Sequence, residues 1–334
     1  MFYRMKENIQ YNSIDLLKFI MALLVVMIHV QPNQHSETLS EIFNNLTSIA
    51  VPVFFVISSM FVFHKVNGGG HFCLLSYCKR IGLLYLCWFV IDFWYVYSNK
   101  AYFHVGIVEG ITEFLKDIFF ATTFPGSWYL SASVMGVIIV YYINKVIHPI
   151  ITLVITYLIA CYVARANMLT EDIQGIYNWY AVTFRKEVSL SFPAQMIWIS
   201  IGYFLSLVLT DIKENKSWVL PVSIIAFMSS LFLLLFINAI EIRIISVLTI
   251  VVVCILVDLP SSPIFKRLRN YSILIFFFHF SIAGKIGLFT AIVGDTLLTN
   301  WLYYLIVIVI SVLFAEIVLR LEKTKYLFFL RFLH

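Results

Sequence analysis

The stretch Ile14-Asp15-Leu-Leu-Lys18-Phe-Ile-Met-Ala-Leu-Leu-Val-Val-Met-Ile-His29 decides the fold. It is apolar enough to cross a bilayer, whose core of about 30 Å takes roughly 20 apolar residues per helix. It also carries an acid, a cation and an imidazole. Ionisable groups at membrane depth are costly and mark functional positions by default. Lys18 and His29 stand 11 residues apart. At about 100° per residue that is some 20° past three full turns, with a rise of roughly 16 Å. The two side chains therefore share one face. Asp15, three residues before Lys18, lies near that face. Taken alone, the helix leaves two readings open. Asp15 and Lys18 are an interfacial ion pair with His29 a residue at the helix end, or the three form the wall of a site.

Outward from this stretch the pattern repeats. Of the 334 residues 61% are hydrophobic and 12% charged, with a mean hydropathy of +0.93. Soluble domains are about half apolar and a quarter charged, so a soluble enzyme and a disordered chain are excluded. The net charge of +5 is spread over many loops, which excludes the concentrated basic face of a nucleic-acid reader. Apolar runs fall at 14–31, 46–64, 81–97, 128–146, 148–164, 192–210, 218–237, 244–259, 272–294 and 300–320. The expectation is an all-α, polytopic transmembrane bundle of about ten helices in one domain over residues 1–334. The break near Lys145–Pro149 leaves one bent helix as the alternative to two. With the N-terminus inside, 15 of the 23 Lys and Arg face the cytoplasm. Lys100, Lys116, Arg165, Arg185, Lys186 and Arg243 face out, while Lys18 and Lys285 lie within spans. The positive-inside rule then sets both termini in the cytoplasm. Residues 1–12 read as a short flank, and no small-residue cleavage site follows the first helix. The tail 321–334 alternates bases with bulky apolar residues and reads as an interfacial helix.

Other constellations are less specific. Ile107, Ile111, Phe114, Leu115 and Ile118 recur at helical spacing in the outer loop 98–127, predicting an amphipathic helix there. His279 stands in an apolar run, as a second polar wall or a helix-to-helix hydrogen bond. Asp92 predicts a pairing with Lys18, Lys285 or a histidine. Glu316 and Arg320 are spaced as a simple i, i+4 pair. Gly68-Gly-Gly70 beside Lys65, Lys79 and Arg80 suits either a phosphate-holding loop or a flexible cytoplasmic one. The five cysteines lie in or beside apolar runs without metal-ligand spacing, so neither a disulfide framework nor a metal site is expected.

These residues, taken together, resemble the integral-membrane acyltransferase 3 family. Asp15, Lys18 and His29 match its opening pattern of Asp, two residues, Arg, ten residues, His. Val51-Pro-Val-Phe-Phe-Val-Ile-Ser58-Ser59 resembles V-P-x-F-F-x-I-S-G of its second helix. Trp128-Tyr129-Leu130 resembles the W-Y/F-L opening of its fourth, and Ser272 to His279 its late S-x-x-x-Y/F-x-x-H helix. The resemblance spans essentially the whole chain. It implies a multi-pass enzyme of the bacterial inner membrane that moves an acetyl group from cytosolic acetyl-CoA to a hydroxyl of a cell-envelope polysaccharide or lipid-linked glycan. It implies His29 as the essential histidine, with Asp15 and Lys18 beside it. Lys18 and Arg80 would contact CoA, and Trp128, Tyr129 and His279 would line the acceptor side. The partners implied are the lipid bilayer, acetyl-CoA and the glycan acceptor. Two departures stand out. Lys18 replaces an arginine, keeping the charge and losing the bidentate fork, and Ser59 replaces a glycine. The lysine and the Ser189–Gly202 stretch also resemble the membrane domain of vancomycin-resistance serine racemases. Their racemase domain has no counterpart in these residues, so racemisation is not expected. A small-solute transporter or flippase is the alternative function.

Overall fold

The computed structural model describes residues 11–69, 72–168, 170–184 and 188–334. Residues 1–10 of the N-terminal flank, Gly70 of the glycine triplet, and Arg185 and Lys186 lie outside the described residues. Within them the chain is all-α, with no strand.

The helices follow in chain order. They are α1 (Asn12–Val30), α2 (Glu37–Thr47), α3 (Ala50–Asn67), α4 (Phe72–Ile91), α5 (Phe93–Asn99), α6 (Ile107–Phe120), α7 (Ser127–Ile143) and α8 (Pro149–Arg165). They continue as α9 (Glu171–Phe184), α10 (Phe192–Glu214), α11 (Lys216–Leu234), α12 (Ile240–Leu256), α13 (Pro263–Phe278), α14 (Phe280–Ala283), α15 (Ile286–Val293) and α16 (Leu297–Leu321). The apolar runs read from the sequence fall on these helices with shifted ends, and the run 272–294 covers the end of α13 together with α14 and α15. Six stretches are long and apolar enough to cross a bilayer by themselves: Asn12–Val30, Glu37–Asn67, Cys73–Ile91, Val188–Glu214, Lys216–Leu234 and Leu297–Leu321. A seventh, Pro263–Ala283 with Ile286–Val293, is bent by 55° at Gly284 and Lys285. Helices α7, α8 and α12 have 17 residues each, about 25 Å, at the lower limit for a span.

Local chemistry sets the boundaries. Gln31, at φ 48°, closes α1 with its N–H on Met27 O, a left-handed cap. Pro149 opens α8, and the His148 side chain accepts from Ile150 N–H. The Lys145–Pro149 segment is therefore a true break between two helices, bridged by Thr152 Oγ1 donating to Asn144 Oδ1 at 2.7 Å. The third expected span, 81–97, is displaced. Its helix runs 72–91 and stops at Asp92, where α5 begins, so Lys79 and Arg80 ride on the helix. The predicted amphipathic helix in 98–127 is α6. Lys100 Nζ donates to Asp117 Oδ2 at 2.7 Å, and Tyr102 donates to the same oxygen. Burial and that carboxylate push the Tyr102 phenol above its usual range.

The core is built on α3 and α10, most of whose length is buried, whereas α4 is largely exposed. The two helices approach closely at Gly202. A Cβ at Gly202 would stand 2.0 Å from Ser59 Oγ, 2.6 Å from Val56 O and 2.9 Å from Met60 N. Ser59 is fully buried and turns its hydroxyl onto its own helix, donating to Phe55 O at 2.7 Å. The serine in place of the family's glycine is accommodated because position 202 has no side chain.

The tail turns after α16 into a short 3-10 helix, Phe328–Leu333. Leu333 is buried, its carbonyl accepts from Trp88 Nε1 at 3.3 Å, and His334 Nε2 lies 2.6 Å from Glu322 Oε2. Leu333 is thus buried against α4, whereas Tyr326 and Phe329 stay exposed.

Candidate active site

Helices α1 and α13 lie side by side over most of their length and run in the same direction. Asp15 meets Arg269 near their N-termini, and His29 meets His279 and Phe280 at their C-termini. Two polar centres result, one at each end of the pair.

At the N-terminal end Asp15 is 5% exposed, and its Oδ2 lies 3.8 Å from Arg269 Nη1. Lys18 stands in the field of Asp15, Arg269 and Arg80. Its ammonium lies 5.8 Å from the centre of the Phe61 ring on α3. Arg80 is exposed. Three cations around one carboxylate leave a net positive pit, the charge that attracts a phosphate. The expected pairing of Asp15 with Lys18 is thus enlarged by Arg269, which supplies the closer ion-pair contact from another helix.

At the C-terminal end the ring centres of His29 and His279 are 5.2 Å apart. Phe280 lies 4.4 Å from His29 and 4.1 Å from His279. His29 is exposed and His279 fully buried. His279 Nδ1 is 2.9 Å from Ile275 O. A carbonyl only accepts, so Nδ1 carries the proton and Nε2 presents a lone pair. That Nε2 is buried with no hydrogen-bond partner among the described residues. The loop before α7 closes against the same ring. Gly126 has φ +81°, and a Cβ there would sit 3.0 Å from Phe280 Cε2. Ser127 Oγ accepts from Thr123 N–H at 2.9 Å and holds this loop.

Beyond the C-terminal end of α1 a latch joins the turn after α1 to the start of α16. His35 Nε2 and Asp295 Oδ1 are 2.7 Å apart, Asn300 Nδ2 donates to the same oxygen at 3.2 Å, and Trp301 Nε1 donates to Asn33 Oδ1 at 3.1 Å.

Trp128 and Tyr129 stand one aromatic layer away from the histidines. Tyr129 packs on Phe55 at 4.7 Å and on Phe276 at 5.2 Å, and Trp128 on Phe55 at 6.2 Å. The Tyr129 hydroxyl lies in a knot of polar side chains with Tyr77, Ser58 and Ser133 between α3, α4 and α7, where the Tyr77 and Ser133 oxygens are buried without a hydrogen-bond partner among the described residues. Sequence reasoning missed this knot, because lone hydroxyls in apolar helices carry no period. It also missed Arg269, although a signal existed. Arg269 precedes His279 by ten residues much as Lys18 precedes His29 by eleven, on the helix packed against α1. Asp92 makes none of the expected pairings. It sits at the break between α4 and α5, without a salt bridge among the described residues. Glu316 is held by Arg320 Nε at 2.6 Å, and also by Arg267 and Tyr271 from α13. Among the described residues no three His, Cys, Asp or Glu side chains converge as metal ligands.

A multi-pass membrane bundle with an imidazole pair and a separate basic pit is the class that fold and site define. The acyltransferase domain family matches residues 11–320, and the chain belongs to this acyltransferase 3 family. Two relatives from Enterococcus faecalis, both called amino-acid racemase, match in part. One is 32% identical over 146 residues, 43% of this chain and 20% of the relative. The other is 30% identical over 142 residues, 39% of this chain and 19% of the relative. The chain thus covers about a fifth of the length of these curated relatives. No solved structure matches it.

Proposed function

We propose that the chain is a membrane-bound O-acetyltransferase of a bacterial inner membrane, with about ten crossings and both termini in the cytoplasm. It would move an acetyl group from cytosolic acetyl-CoA to a hydroxyl of an envelope polysaccharide or lipid-linked glycan. The observation that carries this is the separation of charges along the α1–α13 pair: cations at the Lys18 end, paired imidazoles at the His29 end. In this reading Lys18 and Arg80 hold phosphates of CoA, and Asp15 with Arg269 sets the position of Lys18.

The thioester extends toward His29. The exposed imidazole takes the proton of the acceptor hydroxyl as its oxygen attacks the thioester carbonyl. The tetrahedral intermediate expels the CoA thiolate, which receives that proton from the imidazolium. Phe280 fixes the His29 ring, and His279 backs it from the buried side. Trp128 and Tyr129 belong to the aromatic wall around the acceptor. The test is purified protein in nanodiscs with radiolabelled acetyl-CoA. Release of CoA that vanishes in His29→Ala supports the reading. A folded His29→Ala protein with full activity overturns it.

A second reading is favoured by the partial likeness to proteins called amino-acid racemase. The same bundle would then pass a small amino-acid-like solute without acyl chemistry. It predicts solute uptake into liposomes without CoA, and indifference to changes at Arg80.

A further inference from the structure

A cleft of about 260 Å³ opens between the N-terminus of α1, the C-terminal end of α10 and the segment after α12. It is separate from the Asp15–Arg269 contact, yet one ring away from Lys18. Tyr11 packs on Phe61 at 5.6 Å, and the Lys18 ammonium lies 5.8 Å from that same Phe61 ring.

Three features of the cleft point to a ligand. The first is Asn12, only 6% exposed. Its Nδ2 donates to Leu259 O at 3.1 Å and Pro260 O at 2.8 Å. Two carbonyl acceptors fix the amide orientation. Oδ1 is thereby left as a buried acceptor with no donor among the described residues. A buried polar atom of that kind calls for an N–H or O–H partner. The second is charge. Lys216 Nζ is bound to Asp258 Oδ2 at 2.8 Å, and the Asp258 carboxyl is held below its usual range first by Lys216, with a smaller contribution from Lys213. Lys213 lies farther from that carboxylate, so the three groups together keep one positive charge. The third is the aromatic wall. Lys213 Nζ rests 4.8 Å from the centre of the Tyr11 ring, from which a phosphate would draw it, freeing a ring face for a base.

We propose that this cleft binds the adenine-nucleotide head of the acyl donor, with the base against Tyr11 and its amine on Asn12 Oδ1, and a phosphate on Lys213. Its volume lies just below the range of about 300–1,000 Å³ typical of sites for whole small molecules. It suits a head group whose arm leaves along Phe61 toward Lys18. The inference rests on the acetyl-CoA reading, and the experiment separates the two.

Protein in phosphatidylcholine nanodiscs is titrated with acetyl-CoA, acetyl-pantetheine and adenosine 3′,5′-bisphosphate, as wild type, Lys213→Glu, Tyr11→Leu and His29→Ala. The bisphosphate is expected to compete with acetyl-CoA in the wild type. Lys213→Glu and Tyr11→Leu each raise the acetyl-CoA KM about tenfold or more at unchanged kcat. Their KM for acetyl-pantetheine, which lacks the head, does not move. His29→Ala does the opposite, losing kcat and keeping nucleotide binding. An acetyl-CoA KM that stays put in both variants of a working enzyme overturns the cleft and leaves the acetyltransferase standing. If the wild type does not use acetyl-CoA, the reading falls. Binding of the bisphosphate that is lost in Lys213→Glu then still supports a nucleotide site, and its absence overturns one. Phosphatidylglycerol nanodiscs distinguish the other phosphate source. Nucleotide that never affects KM, with anionic lipid bound through Lys213, overturns the proposal.

Discussion

The two ends of the α1–α13 pair are built from the same helices and differ in kind. One end holds full charges, an acid among three cations, partly open to water. The other holds neutral-capable rings, His29 and His279 against Phe280, with no carboxylate partner among the described residues. A cluster of cations binds anions but is a poor proton acceptor, because Lys and Arg are already protonated at neutral pH. An imidazole is a proton acceptor but a weak phosphate anchor. On the proposed function the contrast becomes a division of labour, in which one end would grip the donor and the other would move the proton, about 16 Å apart along one helix.

The strongest way to break that division is at the ring end. His29→Ala is expected to lower kcat by about 10²–10⁴ with the donor KM nearly unchanged. Steady-state CoA release in nanodiscs reads both constants. Equal loss of kcat in Arg80→Ala would erase the distinction between the ends. At the charged end the expected effect is smaller and falls on binding. Lys18→Leu or Arg80→Ala raises the acetyl-CoA KM about tenfold, and Lys18→Arg keeps or improves it, since the guanidinium adds a bidentate fork.

A third test lies between the ends, where α3 and α10 hold both in register. Gly202→Ala forces a Cβ into Ser59 and the α3 backbone. It should destabilise the bundle by about 1–3 kcal/mol, read as a drop in Tm. Adding Ser59→Gly recovers only the part due to the hydroxyl, because the contacts with Val56 O and Met60 N remain.

The smallest effect concerns the His35–Asp295 latch. The hydrogen bond from His35 holds the Asp295 carboxyl below its ordinary value of 3.8. A carboxyl lowered in the folded state stabilises above its unfolded value, and that contribution fades as pH falls through the folded value. Asp295→Asn should therefore flatten the loss of Tm on acidification below that value, and leave activity at neutral pH near wild type.

Much of this contrast was legible in the sequence, and the reason is local. Asp15, Lys18 and His29 lie on one continuous helix, so their spacing reports their geometry. His279 was legible as a polar residue in an apolar run, but its ring contact with His29 joins positions 250 residues apart and has no period. Arg269 was hidden for the same reason. Helix breaks were harder still. The breaks at Asp92 and Gly284–Lys285 each hold one charge inside a run that stays apolar on average, and hydropathy does not sense a 55° bend. The three 17-residue helices also look like full spans from composition, because composition counts residues and not where each helix begins.

The Gly202–Ser59 contact also limits which substitutions α10 accepts. A side chain at 202 meets the Val56 carbonyl and the Met60 N–H of α3 as well as the Ser59 hydroxyl, whereas glycine at 202 tolerates either serine or glycine across from it. Position 202 is therefore held to glycine whichever of the two residues stands at 59. Grafting α3 alone onto a bundle whose α10 carries a side chain at this place meets the same barrier.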